Sequence, residues 1–98
     1  MRLDLFLKLS RLCSGRSLAQ KLCDAGLVSI NGKTAKSAHT VKPDDEIVVR
    51  VRNRLLTVRV NSIPTARSVS KTAAVSLYTT INDEELSDPR DGLSGDSD

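Results

Sequence analysis

The sequence predicts an α+β fold, with two short N-terminal helices packed on a small, mainly antiparallel sheet. A short C-terminal helix or strand and a disordered acidic tail complete the expectation. Three observations carry it. Apolar residues recur at helical spacing before Gly26, apolar and polar residues alternate from Glu46 to Ile63, and two turn signals separate the runs between. At 98 residues the chain has room for one domain with a modest core.

The first element lies in RLDLFLKLSRL, where Leu3, Phe6 and Leu7 share a helical face that Leu5, Leu9 and Leu12 widen. It runs into a turn near Ser10. A second helix is expected from about Arg16, capped by Ser14 or Gly15, with Leu18, Leu22 and Ala25 along one side. Gly26 supplies the left-handed residue that ends it. VSINGKTA then reads as a β-hairpin, because Asn31-Gly32 tolerates the two positive φ angles of a type I′ turn. VKPDDE is a second turn, with Pro43 fixing φ and Asp44, Asp45 and Glu46 solvated.

EIVVRVR and LLTVRVNSI alternate as two strands. Val49 and Val51 face one side and Arg50 and Arg52 the other; Leu56, Val58 and Val60 oppose Thr57 and Arg59. After Pro64, TARSVSKT reads as a linker and AAVSLYTTI as a short helix or strand. The stretch from Asn82 onward is acidic and rich in Asp, Ser and Gly, the composition of a disordered segment. The expected organisation is therefore one folded domain with a strand extension over residues 1–63, a linker and short C-terminal element over 64–81, and an acidic disordered tail over 82–98.

Charge is segregated along the chain. Met1 to Lys71 holds 14 Lys/Arg against 5 Asp/Glu, whereas Thr72 to Asp98 holds one Arg against seven acids. A body this basic favours a polyanion, either nucleic acid or an anionic membrane surface. Cys13 and Cys23 lack a metal-ligand or CxxC spacing and are expected as buried, reduced thiols. Charges at Arg2, Asp4, Lys8 and Arg11 interrupt every candidate signal core, so the chain is expected in the cytoplasm and off the membrane.

Enzymatic chemistry has little to stand on. The single histidine, His39, sits in a Ser/Thr-rich stretch, and no P-loop, GxGxxG, HExxH or nucleophile elbow occurs. No cofactor is expected. Basic residues, by contrast, fall on every predicted element of the N-terminal half: Arg2, Lys8 and Arg11 around helix one, Arg16 and Lys21 on helix two, Lys33 and Lys36 at the hairpin. An Arg in the first turn of a helix opposes the dipole unless an anion sits nearby, which points at Arg16 and, just before it, Arg11. Phe6 and Tyr78 are the only aromatics, too few for a base-stacking module, and a helix ended by Gly26 and followed by a sheet does not suit a helix-turn-helix. Recognition of phosphate and shape on a folded RNA remains.

RLD-x-FL near the start, SR-x-x-x-x-RS-x-A, AG-x-V-x-I-NG and AK followed by VKPxDE together resemble the S4 RNA-binding domain, whose helix pair and strand element form the αL motif. LLTVRVNSI and KTAAVSLYTTINDEE extend the likeness to the stand-alone RqcP family, relatives of the fifteen-kilodalton heat-shock protein. That resemblance implies a monomeric, non-enzymatic factor on the large ribosomal subunit, in contact with 23S rRNA and peptidyl-tRNA. It also implies an RqcH-type protein partner that adds a C-terminal alanine tail to stalled chains.

The alternatives it leaves are protection of stalled large subunits, as in the heat-shock relatives, and a basic module docking an acidic protein. Carried over by position, Arg2, Asp4, Arg11 and Arg16 fall where such proteins meet RNA, with Lys8, Lys21, Lys33 and Lys36 as general phosphate contacts. For Asp4 two readings stand: a cap or ion-pair partner within helix one, or a group that orients a basic residue or meets a base edge. Two positions depart from the family pattern, Ser14-Gly15 where a further basic residue is common and Asp44 where glycine is usual.

Overall fold

A computed structural model describes residues 1–51, 53–65 and 69–85. Its elements are α1 (Leu3–Leu9), α2 (Arg16–Asp24), β1 (Val28–Ile30), β2 (Lys33–Thr34), β3 (Glu46–Val51), β4 (Arg54–Val60), α3 (Lys71–Val75) and β5 (Tyr78–Glu85). The strands form one antiparallel sheet in the order β2-β1-β3-β4-β5, so the fold is α+β as expected.

Helical spacing in α1 buries Leu3, Phe6 and Leu7 completely, and α2 adds Ala19, Leu22 and Cys23. They meet the inward residues of the sheet: Val28, Ile30, Ile47, Val49, Val58 and Val60. Because strand side chains alternate, Arg50 and Arg59 are left exposed on the opposite face. Ala25, expected on the buried side of α2, is instead its exposed C-cap, because the helix ends there.

The turns follow their residues. Gly26 has φ +75° and stops α2, and Asn31 and Gly32, at +52° and +85°, close the β1–β2 hairpin. Asp45 is less solvated than expected: its carboxylate accepts from the Lys42 N–H (2.9 Å) and from Asn31 Nδ2 (3.1 Å). Asn31 Oδ1 accepts from the Glu46 N–H (3.0 Å), so the two turns are locked together.

The C-terminal half departs furthest from expectation. AAVSLYTTI is neither helix nor strand alone: α3 ends at Val75 and β5 begins at Tyr78. The strand continues through Glu85, so the acidic segment does not begin at Asn82 as a tail. Asn82, Asp83, Glu84 and Glu85 pair with β4, where Asp83 forms an ion pair with Arg54 and Glu85 lies opposite it. Opposite charges across the ladder offset the poor strand propensity of this stretch. The remainder of the expected tail, residues 86–98, lies outside the described residues.

Candidate nucleic-acid interface

The start of the chain is pinned before α1 begins. Arg2 bridges to Thr40, the Val41 N–H donates to the Met1 carbonyl (2.8 Å), and the N–H groups of Leu3 and Asp4 donate to the carbonyls of His39 (2.8 Å) and Ser37 (3.1 Å). These loop carbonyls occupy donors that a helix N-terminus otherwise leaves free. The α2 N-terminus differs. Its N-cap is Gly15, which has no side chain to cap the first turn, and among the described residues the N–H groups of Arg16, Ser17 and Leu18 have no acceptor.

Between the two helix starts lies Asp4, whose side chain is 0% exposed and satisfied by three neighbours. Arg2 donates from Nε to Oδ1 (3.3 Å) and from Nη2 to Oδ2 (3.4 Å). Arg16 donates from Nε to Oδ2 (3.1 Å) and Gln20 from Nε2 to the same oxygen (2.9 Å). Burial pushes the Asp4 carboxyl up, but the Gln20 and Arg16 hydrogen bonds, the Arg16 charge and the Leu5 backbone N–H outweigh it and hold the group below its ordinary value. Asp4 is thus ionised at neutral pH. The two arginines it holds remain 49% and 45% exposed, so their charge faces solvent around a buried anchor.

Of the residues singled out in the sequence, Arg2, Asp4 and Arg16 are brought into contact. Asp4 lies beneath the surface, so it presents no face to a base edge; its observed part is to hold basic residues. Lys36 is exposed in the loop just before Ser37, whose carbonyl accepts from the Asp4 backbone N–H, and Lys33 is on β2 at the hairpin. Lys8 and Lys21 are exposed in the last turns of α1 and α2. Arg11 ends α1 in the left-handed region at φ +61°, with its N–H on the Lys8 carbonyl (3.0 Å), and its Nη2 donates to the Val69 carbonyl (3.3 Å) ahead of α3. Gln20 was not anticipated. Its signal was the four-residue spacing from Arg16, which places both on one face of α2.

The only two aromatic side chains do not form a stacking platform: Phe6 is fully buried and Tyr78 half-buried against the core. Cys13 and Cys23 are buried free thiols. Burial, with a smaller contribution from Cys23, pushes Cys13 up to about 11, and burial raises Cys23 as well, so both are protonated at neutral pH.

A helix pair carrying exposed arginines around a buried acid, followed by a hairpin on a small sheet, defines the class of the molecule, and residues 1–47 match the S4 domain family. Among relatives, the RQC P-site tRNA stabilizing factor of Bacillus subtilis is 45% identical over 86 residues, 88% of this chain and 98% of that one. The Listeria monocytogenes protein of the same name is 34% identical over 90 residues, covering 92% and 96%. The chain belongs to the family of RQC P-site tRNA stabilizing factors. Its fold is also similar to the trimeric structure of Vibrio cholerae heat shock protein 15, with a TM-score of 0.75 and 25% identity over 99% of this chain and 90% of that one.

Proposed function

We propose that this protein is a non-enzymatic RNA-binding factor of ribosome-associated quality control. It grips P-site tRNA and 23S rRNA on the large ribosomal subunit in the cytoplasm. The observation that carries the reading is the Asp4 anchor, which holds Arg2 and Arg16 half-exposed beside the uncapped start of α2. Two fixed guanidiniums beside free backbone N–H groups suit phosphate oxygens, and the shortage of exposed aromatics suits a shape-and-phosphate mode over base stacking. Arg11, Lys8, Lys21, Lys33 and Lys36 extend the contact along the same backbone, and an RqcH-type partner on the subunit adds the alanine tail to the stalled chain.

The fold likeness to heat shock protein 15 favours a second reading, in which the protein protects stalled large subunits without tailing. The presence or absence of C-terminal alanines on stalled chains in a deletion strain separates the two. Binding itself is tested with purified large subunits, with and without P-site tRNA, over a salt series. The expected result is tighter binding when tRNA is present, and an affinity that falls as salt rises, with the slope reduced by about 0.7–0.9 for each phosphate-contacting residue replaced. Equal binding to subunits lacking tRNA would contradict the P-site assignment.

A further inference from the structure

We propose that the cleft between the start of α2 and the outer strands of the sheet is a docking site for a protein segment. It takes an apolar side chain on its floor and an arginine or lysine at its rim. The inference goes beyond the RNA-binding reading and does not depend on it. Its first ground is the place where the apolar stripe of the sheet runs out. Ile47, Val49 and Val51 share the inner face of β3, and Leu56, Val58 and Val60 share that of β4. Ile47, Val49, Val58 and Val60 are buried, but Val51 and Leu56, next to the β3–β4 turn, are only half-buried. Leu12 and Leu18 on the helix side and Tyr78 on β5 are left in the same state. These five side chains line an open cleft of about 510 Å³, large enough for side chains of a partner.

The second ground is the charge at the rim. Arg54 and Asp83 line the cleft and also a hollow beside it, which Glu85 completes. Arg54 is committed to Asp83, donating from Nε to Oδ1 (3.1 Å) and from Nη2 to Oδ2. Glu85 stands opposite Arg54 in the β4–β5 ladder and forms no ion pair among the described residues. The described rim therefore sets two carboxylates against one guanidinium. This balance is the reverse of that around the helix pair: it repels a phosphate and attracts a cation. An apolar floor with an acidic end fits a segment whose apolar anchor is followed by a basic residue, a buried anchor inside a charged rim. A nucleobase would suit the floor but would bring its phosphate to the carboxylates.

The test is an NMR titration of the full chain with a short capped peptide that alternates leucine and arginine. Two control peptides replace arginine by glutamate and leucine by alanine. The leucine–arginine peptide should bind saturably and shift the amides of Leu18, Val51, Leu56 and Glu85, and each control should bind at least about tenfold more weakly. Thr80 lines the cleft from an exposed strand position. Thr80→Phe should fill the cleft and abolish saturable binding, with the melting temperature within a few degrees of wild type. Glu85→Lys, a change at the exposed rim, should weaken the arginine peptide about tenfold and strengthen the glutamate peptide. Absence of binding by the arginine peptide, binding that survives Thr80→Phe, or indifference to the exchange of arginine for glutamate would each overturn the proposal. Cleft shifts caused by a short oligoadenylate would overturn it in favour of RNA, and shifts that grow with protein concentration alone in favour of a second copy. Loss of the RNA-binding reading with peptide binding intact would leave the docking site standing.

Discussion

At the scale of single residues, Asp4 does the work of a keystone through chemistry that burial makes expensive to lose. A fully buried carboxylate is tolerated because two guanidiniums and an amide satisfy it. Since its folded pKa lies below the ordinary carboxylate value, its contribution is present above about pH 4 and is lost as pH falls through the lowered folded value. Asp4→Asn should therefore destabilise the protein by about 1–3 kcal/mol at pH 7, as read by urea denaturation, and the gap to wild type should close on acidification below pH 4. A gap that persists unchanged at pH 2 would show that the charge is not what stabilises.

Arg11 presents the reverse case, a residue held where its own backbone objects. Its φ of +61° is a glycine-like conformation at the end of α1. Arg11→Gly should raise stability by up to about 1 kcal/mol while weakening subunit binding. Tighter or unchanged binding would remove Arg11 from the interface. The sequence pointed to Arg2, Asp4 and Arg16 together but could not choose between the roles of Asp4, because a pattern of residue types does not say whether an acid in a first turn faces solvent or the neighbouring helix. Gln20 stayed hidden for the same reason, being an ordinary helix residue until a buried acceptor is set opposite it.

At the scale of elements, the two helix starts are used differently. The α1 N-terminus is filled by loop carbonyls, whereas at the α2 N-terminus the N-cap position is Gly15, extended, with open space around it and no capping side chain. That space allows a test in which stability and function move in opposite directions. Gly15→Asp should stabilise α2 by about 0.3–1 kcal/mol, as a cap and against the dipole. The same carboxylate would occupy the N–H groups and repel phosphate, so binding to large subunits should fall; a variant that gains stability and keeps full affinity would show that this helix start does not meet RNA. Turn chemistry made the elements around it readable in advance. Asn31-Gly32 and Gly26 mark their positive φ angles in the sequence itself, whereas Asp44 adopts φ +72° without a glycine to announce it. The segment from Lys71 to Glu85 was harder to read. Its helix is five residues long and its strand ends in three acids, so neither period nor propensity marks it. Pairing with β4, including the Arg54–Asp83 ion pair, supplies what local sequence does not.

At the scale of the whole molecule, charge segregation along the chain becomes segregation in space. Arg2, Lys8, Arg11, Arg16 and Lys21 are exposed on or next to the two helices, and the acids of β5 sit at the far edge of the sheet, the last strand in the order. On the proposed reading, such a distribution would orient the molecule on RNA helix face inward and make its association dependent on ionic strength. Fold class was legible because the helical and alternating periods are clean and the turns are punctuated. The grip was only partly legible, because it depends on which side chains meet across elements that sequence lists apart. The central claim is that Arg16, anchored by Asp4, fastens the protein to large subunits, and a sucrose gradient of native lysate, blotted for this protein beside its Arg16→Ala variant, tests it most directly. The account predicts a wild-type peak on free large subunits that moves to the top of the gradient with Arg16→Ala. Wild-type protein at the top, or a variant that stays on the subunits, would contradict it.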